Sequence, residues 1–330
     1  MIAAVHFRNF KALRSAEVRL APFNLFIGPN GSGKTSLIQA LLRLRTLANL
    51  PAARDDEWAG HRADGPEIRF EFAAPHADIA VSLGCRSEMM CDLLRVTHPP
   101  GAGARWEELR ARLRGIRAFL FDHYAMAEPA EAKNGAELAS NAGNLAAVLA
   151  AHRRADAASF AALEEEFRRI IPEFTGLDFH EADGRVTLLA RLHNGDQPVP
   201  AENFSQGTLY LLAILALSFA PRPPSIVCLE EGDRGVHPRM LREVRDALYR
   251  LSYPQDFGLG RAPVQVVTTT HSPYMLDQFR EHPEEIVLAN KQGTAATFQR
   301  LSERPDVLEL MKETHLGDLW YSGILGGVPE

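Results

Sequence analysis

The stretch Gly28-Pro29-Asn30-Gly31-Ser32-Gly33-Lys34-Thr35 decides the fold expected of this chain. It fits the pattern G-x-x-x-x-G-K-[ST], whose glycines let backbone N–H groups close around the phosphates of a nucleoside triphosphate. The apolar run Phe23–Ile27 before it predicts a strand, and the helical spacing of apolar residues over 36–50 predicts a helix after it. A phosphate-binding loop needs this strand–loop–helix context, so the sequence predicts an α/β fold that binds a nucleoside triphosphate.

The residues of this loop have distinct expected roles. Lys34 is predicted to reach the β- and γ-phosphates and so to take part in catalysis, and the Thr35 hydroxyl is predicted to ligate Mg²⁺. The nucleotide contacts expected from this segment are Asn30, Gly31, Ser32, Gly33, Lys34, Thr35 and Ser36. An ordinary glycine-rich turn is the competing interpretation, and the strand and helix on either side argue against it.

Composition limits the classes of protein that this chain can be. It has 330 residues, of which 46% are hydrophobic and 24% charged, as in an ordinary globular protein. The formal net charge is −6, so any DNA-binding site must be a local basic patch. The longest apolar run, over 209–219, is too short to span a bilayer, and no membrane insertion is expected.

The cysteines indicate a reducing compartment. Cys85, Cys91 and Cys228 are an odd set without a C-x-x-C pair, which argues against a zinc knuckle and against a disulfide framework. We therefore expect a cytoplasmic protein.

The N-terminal third predicts strands on both sides of the loop. Apolar and polar residues alternate over Ile2–Phe10 and over 16–20, which indicates two half-buried antiparallel strands. Arg8 and Lys11 lie between or near these strands, where they either contact the nucleotide or are solvated strand-edge charges. The segments 68–72 and 79–83 alternate in the same way and predict a hairpin, whereas 51–65 has the composition of a loop.

The middle third is predicted to be mixed. The expected strands lie over 118–121, 177–180 and 185–192, and the expected helices over 144–151 and 160–171. A helix predicted over 106–117 contains the best basic patch of the chain. Its arginines are Arg105, Arg110, Arg112, Arg114 and Arg117. They are either a site for DNA or phosphate or, as is commoner for helix charges, a solvated face.

The second half of the expected site starts at Ser205. This residue is a natural N-cap for the apolar helix over 209–219, and Gly207 allows the close approach of another backbone, so the helix N-terminus can bind an anion. The apolar strand over 225–231 then ends in Glu230 and Glu231. Because adjacent strand residues point to opposite faces, we assign Glu230 to the metal ion and Glu231 to the attacking water.

A third segment of the site follows a β-branched strand over 264–270. His271 comes directly after it, at the carboxyl edge where α/β sheets bind ligands. We interpret His271 as a catalytic residue that senses the γ-phosphate. A structural histidine is the alternative.

Together these motifs resemble a known family. They are Asn9-Phe10-Lys11, the phosphate-binding loop, Phe204-Ser205-Gln206-Gly207-Thr208, Leu229-Glu230-Glu231, Gly235-Val236-His237-Pro238 and Thr270-His271-Ser272-Pro273, in this order. The chain resembles the ABC-type AAA-like ATPases, and among them RecF, SMC heads and the ATPase part of overcoming-lysogenization-defect nucleases. The resemblance implies an α/β ABC-type P-loop ATPase head with an N-terminal antiparallel β-lobe and an inserted mixed α/β lobe.

The resemblance also implies a domain organisation. The whole chain, 1–330, would be one composite head. Its nucleotide-binding core would come from 1–50 and 201–290, its inserted lobe from 51–200 and its C-terminal segment from 291–330.

By the same resemblance, Ser205 and Gly207 stand at the signature motif, which completes the ATP site of a partner subunit, and residues 233–237 form the D-loop. ATP would then join two heads. Two features depart from the family pattern. Gly232-Asp233 replaces the usual Pro-Glu after the paired acids, and no glutamine lies between Gln39 and Gln197 to serve as the Q-loop residue, a place that Asp122 or His123 could take.

The function implied is Mg²⁺-dependent ATP binding and hydrolysis by a head that dimerises on ATP and signals to a partner protein or DNA, with anti-phage defence as one setting. Two alternatives stay open. One is a RecF-like ATPase that binds DNA in repair, and the other is a nucleotide-gated scaffold with negligible turnover.

Overall fold

The computed structural model describes residues 1–59, 65–132, 137–193, 195, 197–293 and 295–326. The chain divides into two compact units. The first unit comprises Met1–Ala118, Pro224–Cys228 and Gln265–Glu330, and the second comprises Phe119–Pro223 and Leu229–Val264.

The strands of the described chain are β1 (Ile2–Phe10), β2 (Leu13–Arg19), β3 (Phe23–Ile27), β4 (Glu67–Phe72), β5 (Ala80–Ser87), β6 (Met90–Thr97), β7 (Ile116–Phe119), β8 (Ala130–Glu131), β9 (Phe174–Ala182), β10 (Arg185–Leu192), β11 (Val199–Pro200), β12 (Ile226–Glu230), β13 (Gln265–Thr270), β14 (Ile286–Gln292) and β15 (Ala295–Arg300). The helices are α1 (Lys34–Leu47), α2 (Asp55–Ala59), α3 (Gly103–Arg114), α4 (His123–Ala127), α5 (Leu145–Ala155), α6 (Ala157–Ile170), α7 (Gln206–Ser218), α8 (Leu241–Ser252), α9 (Pro273–Asp277), α10 (Pro305–Leu310) and α11 (Leu316–Tyr321).

Most predicted elements are present, with shifted ends. Strands β3 and β10 have the predicted bounds, and helix α1 begins two residues earlier than predicted. The segment predicted as a loop over 51–65 contains the short helix α2, and its residues 60–64 lie outside the described part of the chain. Strand β6 was not predicted, because the sequence Met90–Thr97 does not alternate between apolar and polar residues.

The N-terminal lobe is a five-stranded antiparallel sheet in the order β2-β1-β4-β5-β6, so the predicted antiparallel strands and hairpin are confirmed. Its apolar face is part of the main core of the first unit, where Phe7, Phe10 and Phe70 are buried together with Leu37 and Leu41 of α1. Each such side chain contributes about 1.5–3 kcal/mol to stability when it is removed from water. Because α1 follows the phosphate-binding loop directly, this core fixes the helix that starts at the loop.

This lobe also moves a predicted boundary. Strand β4 pairs with β1, with Ile68 opposite Phe7, and β5 and β6 extend the same sheet. Residues 65–118 therefore belong to the first unit together with the loop, whereas the sequence placed them in an insertion that starts at residue 51. The physical reason is backbone pairing between strands about sixty residues apart in the chain, which local sequence patterns do not encode.

A six-stranded sheet in the order β15-β14-β3-β13-β12-β7 carries the loop. All five residues of β3 are buried, as expected for a strand with parallel neighbours, and β3 runs parallel to both β13 and β14. Strand β15 returns antiparallel to β14 and ends the sheet.

The second unit is built around helix α7. Its residues from Gly207 to Ser218 are all buried, which explains why it is apolar on every side. The amphipathic helix α6 buries Phe160, Leu163 and Phe167, as its spacing predicts. The hairpin of β9 and β10 forms a small sheet with β8 and β11.

The cysteines correct the expectation that they form no disulfide, on which the prediction of a reducing compartment rested. Cys85 and Cys91 form a disulfide between β5 and β6, and Cys228 is a buried free thiol. The two cysteines face each other in the register of the strand pair, and β6 was the strand that the sequence did not predict.

Within the described ranges, no helix combines the length and apolar character that a membrane crossing needs.

Candidate nucleotide-binding site

The phosphate-binding loop is folded around Lys34. The Lys34 Nζ donates hydrogen bonds to the carbonyl oxygens of Gly28 at 2.7 Å and Pro29 at 2.9 Å, and it lies 3.4 Å from the Ser32 Oγ. Lys34 is only 8% exposed. An ammonium group costs much less to bury when its protons are directed at oxygen atoms, so the loop holds this cation at its centre. Phosphate oxygens can accept hydrogen bonds from the same ammonium group.

Gly33 starts helix α1. It has a left-handed backbone with φ of 92°, and a Cβ atom there would come within 2.7 Å of the Leu13 Cδ2. No side chain caps the helix at Gly33, and the first turn of α1 contains no carboxylate. The N-terminal N–H groups of a helix and its dipole favour an anion, so these residues fit a phosphate group.

The other predicted loop contacts lie around these two residues. Asn30 and Gly31 are exposed at the tip of the loop, and Ser32 is buried beside Lys34. Thr35 is exposed and Ser36 half-buried in the first turn of α1. The structure therefore brings all seven predicted contacts of this segment to one loop and helix start.

His271 lies at the same edge of the sheet as the loop. Strand β13 is parallel to β3 with Thr270 opposite Ile27, so Gly28 and His271 follow directly at their carboxyl ends. His271 is exposed, and the Ser272 Oγ accepts a hydrogen bond from the Met275 N–H at 3.3 Å, which starts α9. This position is the one predicted from the sequence, and the catalytic role of His271 stays a proposal.

In the second unit, Ser205 is the N-cap of α7, as predicted. Its Oγ accepts a hydrogen bond from the Thr208 N–H at 3.1 Å and lies 2.8 Å from the Thr208 Oγ1. Ser205 is exposed, whereas Gly207 is buried, and a Cβ at Gly207 would lie 2.7 Å from the Gly235 carbonyl oxygen. The segment around Ser205 therefore packs on the segment that the family resemblance assigns to the D-loop, and this packing by itself requires a glycine at 207.

The paired acids correct the geometric argument made for them. Strand β12 ends at Glu230, and Glu231 lies beyond it with a left-handed φ of 49°. The Glu231 carbonyl oxygen accepts a hydrogen bond from the Arg234 N–H at 2.9 Å, so Glu231 begins a turn. Alternation along a strand therefore does not set the direction of Glu231. The different roles assigned to Glu230 and Glu231 therefore stay proposals.

Two cations near the loop have partners of their own. Arg8 forms an ion pair of 2.7 Å with Glu67 on the neighbouring strand, as a strand-edge charge does. The Lys11 Nζ donates to the Gln39 Oε1 on α1, and burial, followed by the Arg43 guanidinium, lowers the pKa of Lys11. Sequence reasoning did not single out Gln39 or Arg43. The feature of the sequence that could have indicated these two residues is their position in the helix that follows the loop.

The arginine patch is largely engaged in contacts within the chain. Arg105 donates to Asp78 at 2.7 Å, and Arg110 donates to the carbonyl oxygens of Ala48 at 2.7 Å and Leu50 at 3.0 Å. Arg117 lies on β7 rather than on the predicted helix, and it donates to the Arg114 carbonyl oxygen at 2.8 Å. These bonds hold the guanidinium groups to the protein surface.

The two residues considered for the Q-loop place lie at the start of α4. The Asp122 Oδ1 accepts a hydrogen bond from the Tyr124 N–H at 3.0 Å and caps this helix, and the His123 ring lies 4.0 Å from the Tyr124 ring, centroid to centroid. The position of the Asp122 side chain is therefore explained by its role as a helix cap.

In the part of the chain that the structure describes, no group of three or more His, Cys, Asp or Glu side chains could hold a metal ion. Mg²⁺ in P-loop proteins uses few protein ligands, because the nucleotide phosphates and water supply the others. The exposed Thr35 hydroxyl and the Glu230 carboxylate are of the chemical type that Mg²⁺ prefers.

The loop, the parallel strands behind it and the antiparallel lobe define the class of this protein: it is a P-loop ATPase head of the ABC type, similar to RecF and to SMC heads. The chain belongs to the family described as "AAA domain, putative AbiEii toxin, Type IV TA system", which matches residues 94–277, more than half of its length. A second family, described as "AAA ATPase domain", matches residues 1–80.

Solved structures of SMC heads share the fold. The SMC head bound to the C-winged helix domain of ScpA superposes with a TM-score of 0.59 at 13% identity, covering 92% of this chain and 99% of that chain. An SMC head with an extended coiled coil, bound to the C-terminal domain of ScpA derived from Pyrococcus furiosus, gives 0.56 at 11% identity, with 94% and 99% covered. The SMC head domain from Thermotoga maritima gives 0.51 at 15% identity, with 91% and 98% covered.

A curated relative is the DNA replication and repair protein RecF of Erwinia tasmaniensis, 35% identical over 80 residues. The match covers 23% of this chain and 21% of that protein, so it spans about a fifth of the length of RecF.

Proposed function

We propose that this ATPase binds ATP together with Mg²⁺, dimerises in the ATP-bound state and signals from that state to a partner protein, with anti-phage defence as its setting and the cytoplasm as its location. The observation that carries the proposal is the loop around Lys34, whose ammonium is held by carbonyl oxygens directly before an uncapped helix N-terminus. That arrangement is ready to exchange loop carbonyls for phosphate oxygens.

The chain's own residues have defined parts in this proposal. Lys34 and the loop N–H groups would bind the phosphates, and Thr35 and Glu230 would hold Mg²⁺, which would supply neutralisation of the phosphate charge. Glu231 orients the attacking water. His271, at the same sheet edge as the loop, contacts the γ-phosphate.

Dimerisation is proposed from the exposed N-terminus of α7. Ser205 is exposed at the start of a thirteen-residue helix whose first turn contains no carboxylate. Such an end attracts a phosphate, and the family resemblance assigns that phosphate to the ATP of a second subunit. Two of the similar SMC heads were solved with a bound domain of ScpA, which supports a protein partner for this chain as well.

We expect ATP and Mg²⁺ to convert a hydrolysis-blocked Glu231→Gln protein from monomer to dimer, whereas ADP should not. Adding Ser205→Arg should abolish the shift, because the large side chain fills the place of the γ-phosphate. Light scattering on the purified chain measures both.

Ser205→Arg both removes the helix cap and adds a large side chain, and the effects of these two changes must be distinguished. Ser205→Ala removes the hydrogen bond to the Thr208 N–H, at a cost of about 1 kcal/mol of stability, and adds no bulk. It should retain most of the dimer. A dimer of equal strength without nucleotide, unaffected by Ser205→Arg, would show that a different surface joins the subunits.

The RecF relative favours a second candidate function, DNA binding by a RecF-like head. Such binding must weaken linearly in a plot of log affinity against log salt. Arg114 is the best residue for the test because it is exposed, whereas reversing the charge of Arg110 would also break its bonds to Ala48 and Leu50.

If the chain signals to a protein partner, Arg114→Glu should not change its binding to single- or double-stranded DNA. The comparison is made with ATP and Mg²⁺ present. Fluorescence anisotropy across a salt series measures this. Salt-sensitive binding that Arg114→Glu weakens by several-fold would instead establish the RecF-like function. The surface change Arg242→Glu on α8 serves as a matched control for charge alone.

A further inference from the structure

A disulfide lies beside the helix that starts at the nucleotide loop. Cys85 and Cys91 join β5 to β6, the last two strands of the N-terminal lobe, across a sequence separation of only 6 residues. A cross-link over a short loop stabilises a fold less than one between distant segments, because the effect grows with loop length. The backbone pairing of β5 with β6 also holds the two strands together independently of the disulfide.

The two sulfur atoms have different surroundings. Cys85 is 1% exposed, whereas Cys91 is half-buried. The Arg43 Nη1 on α1 donates a hydrogen bond to the Cys91 Sγ, at 3.7 Å. Cys91 is therefore the cysteine that a reagent in solution reaches more easily, and it is also the one in contact with a cation.

Arg43 is fixed in this position by contacts other than the one to sulfur. Its Nη1 donates to the Glu88 carbonyl oxygen and its Nη2 to the Met89 carbonyl oxygen, each at 3.1 Å, in the turn between β5 and β6. Its guanidinium lies over the Phe10 ring, 4.7 Å from the ring centroid. Because these contacts hold the guanidinium beside Cys91, the positive charge is already in place for a thiolate.

The charges around the turn favour an anion at Cys91. Burial, followed by the Arg43 guanidinium, lowers the pKa of Lys11, so these two cations lie on the same surface. The carboxylate of Glu88 is paired with Arg14 at 3.1 Å. Neighbouring cations stabilise the thiolate form of a cysteine, so after reduction of the disulfide we expect Cys91 to be the reactive thiol.

We propose that Cys91 and Cys85 are a reversible oxidation site, which hydrogen peroxide converts from two thiols into the disulfide. The Cys91 thiolate attacks one peroxide oxygen and the O–O bond breaks, which leaves a sulfenic acid on Cys91 and releases hydroxide. The Cys85 thiol then attacks the Cys91 sulfur, the S–S bond forms, and water leaves. The two thiols lose two electrons, and the peroxide is reduced to water.

A dithiol reverses the reaction by thiol–disulfide exchange. One of its thiolates attacks a sulfur of the pair to give a mixed disulfide, and its second thiol releases the protein thiol, so that the dithiol itself becomes oxidised. Disulfides of cytosolic proteins are usually transient and often sense redox conditions. Reversal inside the cell therefore rests on the cytoplasmic location proposed above, whereas the chemistry of the pair does not.

Arg43 connects this pair with the nucleotide loop. It belongs to α1, which begins at Lys34. In the disulfide its guanidinium contacts a neutral sulfur, and after reduction it contacts a thiolate, which is a stronger, charge-assisted contact. The oxidation state of the pair thus changes a contact of the helix that carries the phosphate-binding lysine.

The first test follows the thiols of the purified full chain without nucleotide. We expect dithiothreitol to reduce the pair while the protein stays folded, as measured by alkylation, mass spectrometry and circular dichroism. Hydrogen peroxide should then restore the disulfide. Cys85→Ser should stop at the sulfenic acid of Cys91, which dimedone traps, and Cys91→Ser should give no dimedone adduct at Cys85.

The second test separates the charge of Arg43 from its hydrogen bonds. Arg43→Gln should slow alkylation of Cys91 in the reduced protein about three- to tenfold, because the thiolate fraction falls. Arg43→Lys keeps the charge and loses the forked bonds to the two carbonyl oxygens, and it should stay within about twofold of wild type. Arg14→Gln removes a guanidinium from the same turn and serves as the matched control, with a smaller effect than Arg43→Gln.

Three outcomes overturn the proposal. They are a native disulfide that resists dithiothreitol, reduced thiols that peroxide does not join, and an Arg43→Lys protein that is alkylated as slowly as Arg43→Gln. None of them needs a cysteine substitution, so a cysteine variant that fails to fold does not obscure the result. Because the measurements contain no nucleotide, their failure is distinct from a failure of ATP binding or of ATP-driven dimerisation.

Discussion

Glu231→Gln is expected to lower ATP hydrolysis by about 10²- to 10⁴-fold while leaving ATP affinity within a small factor of wild type, because a positioned base contributes a rate factor of that size. Glutamine keeps the shape of the side chain and removes its charge. The turn at residue 231 is held by the backbone bond from the Arg234 N–H, which the substitution does not touch.

Phosphate release under saturating ATP and Mg²⁺, together with nucleotide affinity from a titration, measures this effect. The matched control is Glu173→Gln, which makes the same chemical change at an exposed position of the second unit. Equal hydrolysis by wild type and Glu231→Gln would remove Glu231 from the mechanism. A wild-type protein that binds ATP and releases no phosphate would establish the nucleotide-gated scaffold.

Lys34→Ala is expected to lower ATP affinity by at least about a hundredfold. A charge-assisted hydrogen bond contributes roughly 1.5–3 kcal/mol, and this lysine is proposed to reach two phosphate groups. Since each 1.4 kcal/mol is about a tenfold change in affinity, loss of both bonds gives an effect of that size or larger.

The substitution also removes the ammonium group that donates hydrogen bonds to the carbonyl oxygens of Gly28 and Pro29. Thermal unfolding without nucleotide measures the cost to the fold, and binding is compared at a temperature at which both proteins are folded. Lys312→Ala, which removes a surface lysine paired with Glu309, controls for loss of charge. Unchanged ATP affinity in folded Lys34→Ala would contradict the assignment of this loop as the phosphate site.

The elements that the sequence determined are those set by neighbouring residues. The strand Phe23–Ile27, the loop after it and helix α1 follow from an apolar run, a glycine-rich pattern and helical spacing, all within about twenty-five residues. The N-cap at Ser205 likewise depends only on a residue three positions away, Thr208. The order of the motifs was enough to indicate the ATPase family.

Local patterns failed where partners are distant in the chain. The arginines of α3 look like a basic patch in the sequence, and the oxygen atoms that hold Arg110 lie about sixty residues earlier. The direction of Glu231 depends on a left-handed turn that the alternation of a strand does not predict. The disulfide of Cys85 and Cys91 needed the register of β5 and β6.

Only the tertiary structure decided where the two sheets of the first unit approach each other. Strands β2 and β15 are separated by more than two hundred and seventy residues, and the hydrogen bond from the Arg300 guanidinium to the Arg19 carbonyl oxygen spans 281 positions of sequence. The side chains that force a glycine at 33 come from the same two regions, Leu13 on one side and Ala296 and Phe298 on the other. Short-range patterns encode propensity and periodicity, whereas the spacing between two sheet edges results from packing a whole core, so no single stretch of the sequence contains it.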